Sequence, residues 1–116
     1  MKYEAKSFSL PDLSGISPRT IEEHLKLYQG YVNHTNLISE KVAELEAAGE
    51  AHAYTRSELR RRLGFEFCGM RNHEYYFEQL EGGAKDIPAG PLAEKLTATW
   101  GGVEAGLEHL KTIALS

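Results

Sequence analysis

Apolar residues recur along most of this chain at helical intervals, and no stretch alternates convincingly at the two-residue period of a strand. Ile21, Leu25, Tyr28 and Val32, continued by Ile38, Val42 and Leu45, predict one long helix from residue 18 to about residue 48. Ser17 is placed as its N-cap, Pro18 suits the first helical position, and Glu22 and Glu23 sit near the positive end of the helix dipole. Gly30 and the stretch 33–36 are the expected places for a break or kink. Leu63, Phe67, Met70, Phe77 and Leu80 are spaced by three, four and seven, which predicts a second helix from about 56 to 80. Thr55-Arg56-Ser57-Glu58 has the form of a capping box to open it, and Gly82-Gly83 ends it. The short link around Ala48-Gly49-Glu50 implies that the two helices pack antiparallel as a hairpin.

Ahead of the hairpin, residues 1 to about 16 contain Pro11 and Gly15 and read as an irregular lead-in lying over the first helix. Behind it, residues 82–90 are rich in Gly and Pro and read as a linker. Two shorter amphipathic helices follow, one from Pro91 to about Trp100 carrying Leu92, Leu96 and Trp100. The other runs from Val103 to about Leu115 and carries Leu107, Leu110 and Ile113. The predicted class is all-α, divided into a lead-in and hairpin (1–81), a linker (82–90) and two helices (91–116). The apolar faces of the last two helices need a further layer to cover them.

Composition narrows the functional classes without choosing one. The 116 residues are 41% hydrophobic and 26% charged, the make-up of one ordinary soluble domain. Thirteen Lys and Arg against seventeen Asp and Glu give a net charge of -4, which argues against general nucleic-acid binding. The cluster Arg56, Arg60, Arg61 and Arg62 is interrupted by Glu58 and reads as a solvated helix face. Cys68 is the single cysteine, so no internal disulfide framework exists, and no apolar run approaches the roughly 20 residues that span a bilayer. The start, Met1 to Lys6, lacks the apolar core of a signal peptide; a reducing cytoplasm is the expected compartment, and the sequon Asn33-His34-Thr35 reads as chance. A phosphate-binding glycine loop, a nucleophile elbow and a CxxC pair are all absent.

The histidines are the remaining chemistry. His73 falls at the edge of the second helix's apolar stripe, where it can either hydrogen-bond a backbone carbonyl or offer a nitrogen to a metal. His73-Glu74-Tyr75-Tyr76 is not a zinc-protease helix, because Phe77 stands where the second histidine is required. On the first helix His24 and Tyr31 are seven residues apart and share a face with Tyr28. Treated as straight rods, the two arms leave His24 and His73 out of step by ~9 Å at 1.5 Å rise per residue. His34, His52 and His109 are expected at the surface.

Thr20-Ile21-Glu22-Glu23-His24, Tyr28-Gln29-Gly30-Tyr31-Val32, Gly69 and Asn72-His73-Glu74-Tyr75-Tyr76-Phe77 together resemble the iron/manganese superoxide dismutase family. The likeness continues through Leu92-Ala93-Glu94-Lys95 to Trp100-Gly101-Gly102, so it covers nearly the whole chain. The resemblance implies that His24 and His73 are metal ligands and that Tyr31 borders the substrate funnel and joins the hydrogen-bond network at the ion. Tyr28 and Tyr76 would stand beside the ligands. Gly69 occupies a place where some members, mostly iron-using ones, carry a glutamine, and the family's extra funnel histidine is not evident near Leu27 or Tyr28. Iron and manganese therefore both stay open.

In the family an α/β domain with a β-sheet supplies an aspartate and a third histidine, and that part has no counterpart in these residues. The implied function is the amino-terminal subunit of a split superoxide dismutase. It would disproportionate superoxide to dioxygen and hydrogen peroxide once a second polypeptide brings the Asp and His ligands to one shared Fe or Mn ion. The other reading is a non-catalytic helical metal-binding or interaction module on the same scaffold, a homo-oligomer that could pool His24 and His73 from two chains. A hetero- or homo-oligomer is expected in either case, with no nucleic acid or membrane partner.

Overall fold

The computed structural model describes residues 2–116. Among the described residues the regular structure is entirely helical, in two compact units, one extending to Gly83 and the other spanning Ala84–Ser116.

Helix α1 spans Pro18–Ala47, and its start is built as the sequence indicates: Ser17 is extended, its Oγ accepts from the Thr20 N–H at 3.1 Å, and Pro18 enters the first turn. Glu22 and Glu23 lie beyond that first turn, where they pair with Lys26 at 2.8 and 2.9 Å rather than cap the helix. The helix runs without interruption through Gly30 and Asn33–Asn36, so the expected break is absent. Burial of Tyr28, Val32 and Thr35 on one face holds the stretch helical despite its weak formers.

The connection is a left-handed Gly49 (φ 84°) followed by one 3₁₀ turn, Glu50–His52, which leads directly into helix α2, Ala53–Leu80. Thr55 therefore lies inside α2, and the anticipated capping box does not form; the preceding 3₁₀ turn already carries the chain into the helix. Partners on the two arms run in opposite order: Tyr28 with Glu74, His34 with Glu66, Glu46 with Arg60. This is the antiparallel hairpin.

Tyr28 and Val32 of α1 meet Met70 and Phe77 of α2 in a fully buried cluster, with Ile21, Leu25, Tyr31, Phe67 and Leu80 around it. The lead-in closes a third side. Its backbone N–H groups at Tyr3, Lys6 and Ser9 donate in turn to Asn36 Oδ1, Tyr28 Oη and Glu81 Oε1, at 2.8, 2.9 and 2.6 Å. The repeat of three lets one side of an extended chain face the hairpin while Phe8 packs on Tyr28 and Phe77.

Two carboxylates, Glu66 and Glu74, are buried at 2% exposure each. Both lie in phase with the apolar stripe, one turn from Met70 on either side, and each is neutralised locally. Arg62 reaches Glu66 at 2.6 Å and Arg71 reaches Glu74 at 2.6 Å. Arg60, Arg61 and Arg62 form the solvated face expected, with Arg61 on Glu58 at 3.0 Å, but Arg56 departs from it: its side chain is only 16% exposed and lies 3.5 Å from Glu50.

The second unit contains helices α3, Pro91–Trp100, and α4, Val103–Ala114. Gly101 takes a left-handed conformation (φ 85°), its N–H closing α3 on the Thr97 carbonyl at 2.8 Å. The helices cross closely at Gly106, where a Cβ would lie 2.9 Å from Leu96 Cδ2 and 3.3 Å from the Trp100 ring. Leu92, Leu110 and Ile113 stay about 60% exposed. No helix among the described residues is long and apolar enough to cross a membrane.

Candidate metal centre

Toward the open end of the hairpin, α1 presents His24, Tyr28 and Tyr31, and α2 presents Gly69, His73, Tyr76 and Phe77. The imidazoles of His24 and His73 meet edge to face, with ring centroids 4.8 Å apart and planes at 75°. The register explains why straight-rod counting separates them. With the observed helix ends, His24 lies 23 residues before the end of α1 and His73 lies 20 after the start of α2. That reduces the offset to ~4–5 Å at 1.5 Å per residue, within what an asymmetric connection absorbs.

His73 takes the first of its two options and leaves its other nitrogen unengaged. Its Nδ1 is 2.7 Å from the Gly69 carbonyl one turn earlier; a carbonyl only accepts, so Nδ1 carries the hydrogen. In the neutral ring Nε2 then holds a lone pair, and this atom is buried without any hydrogen-bond partner. An unpaired buried polar atom is costly, so its presence on a ring packed against a second imidazole asks for an explanation. Next to it, His24 has its pKa lowered from 6.5, first by burial and then by electrostatic repulsion from the adjacent imidazole of His73.

Aromatic groups enclose the pair. Tyr31 lies 5.0 Å from His73, Tyr76 5.0 Å from His24, and Phe77 5.0 Å from His24, all between ring centroids. Tyr31 rests directly on the α2 backbone at Gly69; a Cβ there would overlap its ring, being 2.9 Å even from Cγ. Gly69 thus gives room to one aromatic ring and a carbonyl to the next. Tyr28 is 6.4 Å from His73 and nearly parallel to it, its hydroxyl donating to Glu74 Oε1 at 3.1 Å.

The spacing of the two rings is compatible with a shared ion. Two imidazoles bound through bonds of about 2.1 Å at roughly 90–110° hold their centroids about 4.6–5.3 Å apart. The 4.8 Å separation fits, although an ordinary edge-to-face pair has the same spacing, so the unpartnered Nε2 is the deciding feature. Two ligands are also all that this chain brings: no group of three or more His, Cys, Asp or Glu suited to a metal occurs among the described residues. His34 is exposed, 3.6 Å from Glu66; His52 is exposed in the 3₁₀ turn; His109 is exposed beside Trp100 at 5.5 Å.

Similarity to characterised proteins falls in one family. The chain is 36% identical to the iron superoxide dismutase of Aquifex pyrophilus across 99% of its own length and 57% of the relative's. The same figures hold for the iron superoxide dismutase of Aquifex aeolicus. In sequence, the chain is similar to iron and manganese superoxide dismutases. The mitochondrial manganese superoxide dismutase of Schizosaccharomyces pombe is 33% identical across 70% of the chain and 37% of that relative. The chain thus spans about half the length of the superoxide dismutases it matches best among these, and its all-helical content agrees with a portion that lacks the family's sheet. No protein-family model matches the chain, and no solved structure matches it at a significant level.

Glu74 and Glu66 are the site-flanking residues that motif reading passes over. Their signal was a charge repeated at stripe positions, which in an amphipathic helix marks a buried and paired group.

Proposed function

We propose that His24 and His73 are two of the protein ligands of an iron or manganese ion in a superoxide dismutase centre. The aspartate and third histidine come from a polypeptide outside these 116 residues. The observation that carries this reading is the buried, unpartnered His73 Nε2 on a ring whose centroid lies 4.8 Å from that of His24. Iron or manganese bound there supplies the one-electron couple that disproportionation of superoxide to dioxygen and peroxide requires.

This chain's residues provide the surroundings. The Gly69 carbonyl holds the proton on His73 Nδ1, so Nε2 is fixed as the donor atom. Burial lowers the pKa of His24, which favours the neutral form that ligation needs. Tyr31, whose ring lies 5.0 Å from that of His73, is the phenol that would orient solvent and pass a proton there. Tyr76 and Phe77 cover His24 and limit water at that side.

The test is to recover the chain from its native cells with whatever accompanies it, then measure metal content and superoxide removal. Iron or manganese near one per complex, with activity, is expected; a metal-free, inactive complex overturns the reading. His73→Ala should abolish metal retention while the helical circular dichroism persists. The second reading, a non-catalytic metal-binding homo-oligomer, is favoured by the exposed Leu110, Ile113 and Leu115. It predicts a dimer of this chain alone that holds zinc and no redox metal.

A further inference from the structure

We infer that the Tyr28–Glu74 hydrogen bond, completed by Lys6 of the lead-in, is a register pin that positions His24 and His73 for a common ion. The inference rests on the metal-site reading above. Two helices that meet through apolar side chains alone can slide along one another at little cost, and a single residue's rise is ~1.5 Å. Productive ligand geometry tolerates only about 0.5 Å. Something directional must therefore fix the register at the level of the imidazoles.

The only buried polar bond described between the two helices lies there. Tyr28 is one turn after His24 on α1, and Glu74 adjoins His73 on α2. Tyr28 Oη accepts from the Lys6 N–H at 2.9 Å and donates to Glu74 Oε1 at 3.1 Å. Glu74 Oε2 is held in turn by Arg71 at 2.6 Å and by the Lys6 ammonium at 3.5 Å. Tyr28 and Glu74 are each 2% exposed, so the bond is shielded from competing water. Its two ends sit on different helices, and neither Tyr28 nor Glu74 is a proposed ligand. They are positioning residues.

A positioning role and a merely stabilising one predict opposite orders for two variants. Tyr28→Phe keeps the ring and its packing but removes the link across the hairpin. Glu74→Gln keeps an oxygen to accept from Tyr28 but leaves Arg71 and Lys6 without their carboxylate. Stability should therefore fall more in Glu74→Gln, and metal affinity more in Tyr28→Phe. The experiment titrates the full chain and both variants with Co²⁺, following the shifted ring signals of His24 and His73 by NMR, beside thermal melting.

The expected result is a 10–100-fold loss of Co²⁺ affinity in Tyr28→Phe, with Glu74→Gln within about threefold of the parent. Equal affinity in Tyr28→Phe and parent overturns the pin, as does an affinity order that follows the melting order. If the parent's own His24 and His73 signals do not respond to Co²⁺, the metal-site reading falls, and the pin with it. A response in the parent that persists at undiminished affinity in Tyr28→Phe overturns the pin alone.

Discussion

Replacing Gly69 by alanine tests the arrangement at its tightest point. The new methyl would overlap Cδ1 and Cε1 of Tyr31 and lie 2.9 Å from Cγ. Carbon atoms in comfortable contact are about 3.5–4.0 Å apart, so the ring must retreat by about 1 Å or more. Overpacking of this kind costs about 1–3 kcal/mol. Working against it, alanine is preferred to glycine within a helix by about 1 kcal/mol. The net expectation is a loss of about 0–2 kcal/mol, which alone would be hard to interpret. Gly64 supplies the control, because it lies in the same helix and a Cβ there meets nothing within 4 Å. Gly64→Ala should gain the propensity alone and raise the melting temperature by roughly 4–8 °C. The difference between the two variants isolates the overpacking, about 1–3 kcal/mol, independent of the propensity scale. Thermal melts of both, with the Tyr31 to His73 cross-peaks observed by NMR, complete the assay. Equal stabilisation by the two alanines, with the cross-peaks retained, would refute the placement of Tyr31 on the α2 backbone.

Other consequences are more direct. Phe77 has no exposed surface, and Phe77→Ala should cost about 3–5 kcal/mol in denaturant unfolding. Ser17→Ala removes the hydroxyl that caps α1 and should cost about 1 kcal/mol, recovered in large part by Ser17→Asp. Stability should fall on acidification in two stages, read by melting temperature against pH. The folded-state pKa of His24 is depressed, so the unfolded chain binds its proton first and stability declines as pH drops below 6.5. Glu74 is pushed up by burial but pulled lower overall by Arg71, Tyr28 and Lys6, so a second decline begins below 4.5. In His73→Ala the charge effect on His24 disappears while burial remains, so the His24 midpoint should rise only part of the way to 6.5.

The hairpin was legible because its information is local. Ser17 and Pro18 mark a start, the spacing of Met70 and Phe77 marks a buried face, and each reads from a few neighbouring residues. The errors came where two levels compete. Thr55-Arg56-Ser57-Glu58 has a good local form for a helix start, yet Gly49 at positive φ and the 3₁₀ turn settle the chain into α2 earlier. Gly30 and Asn33 to Asn36 have weak propensity, yet the surrounding α1 face is buried, and tertiary contact outweighs propensity over so long a helix.

The site depended on a quantity that local pattern does not contain, the axial register of two helices. Moving the start of α2 by three residues shifts the apparent separation of His24 and His73 by ~4–5 Å, as large as the distance between their rings. Sequence could name the imidazoles but not bring them together. It also posed the role of His73 as a choice between a carbonyl partner and a metal, and that opposition dissolves in three dimensions. The bond from Nδ1 to Gly69 selects the tautomer whose lone pair is on Nε2, so the ordinary structural contact and the proposed ligand role are compatible rather than rivals. The same economy runs through the neighbouring residues: Gly69 seats Tyr31 with its missing side chain, and Tyr28 serves the core with its ring and the register with its hydroxyl. A substitution here disturbs packing and chemistry together. Variants that keep the ring and change one atom, as Tyr28→Phe does, are the ones that separate them.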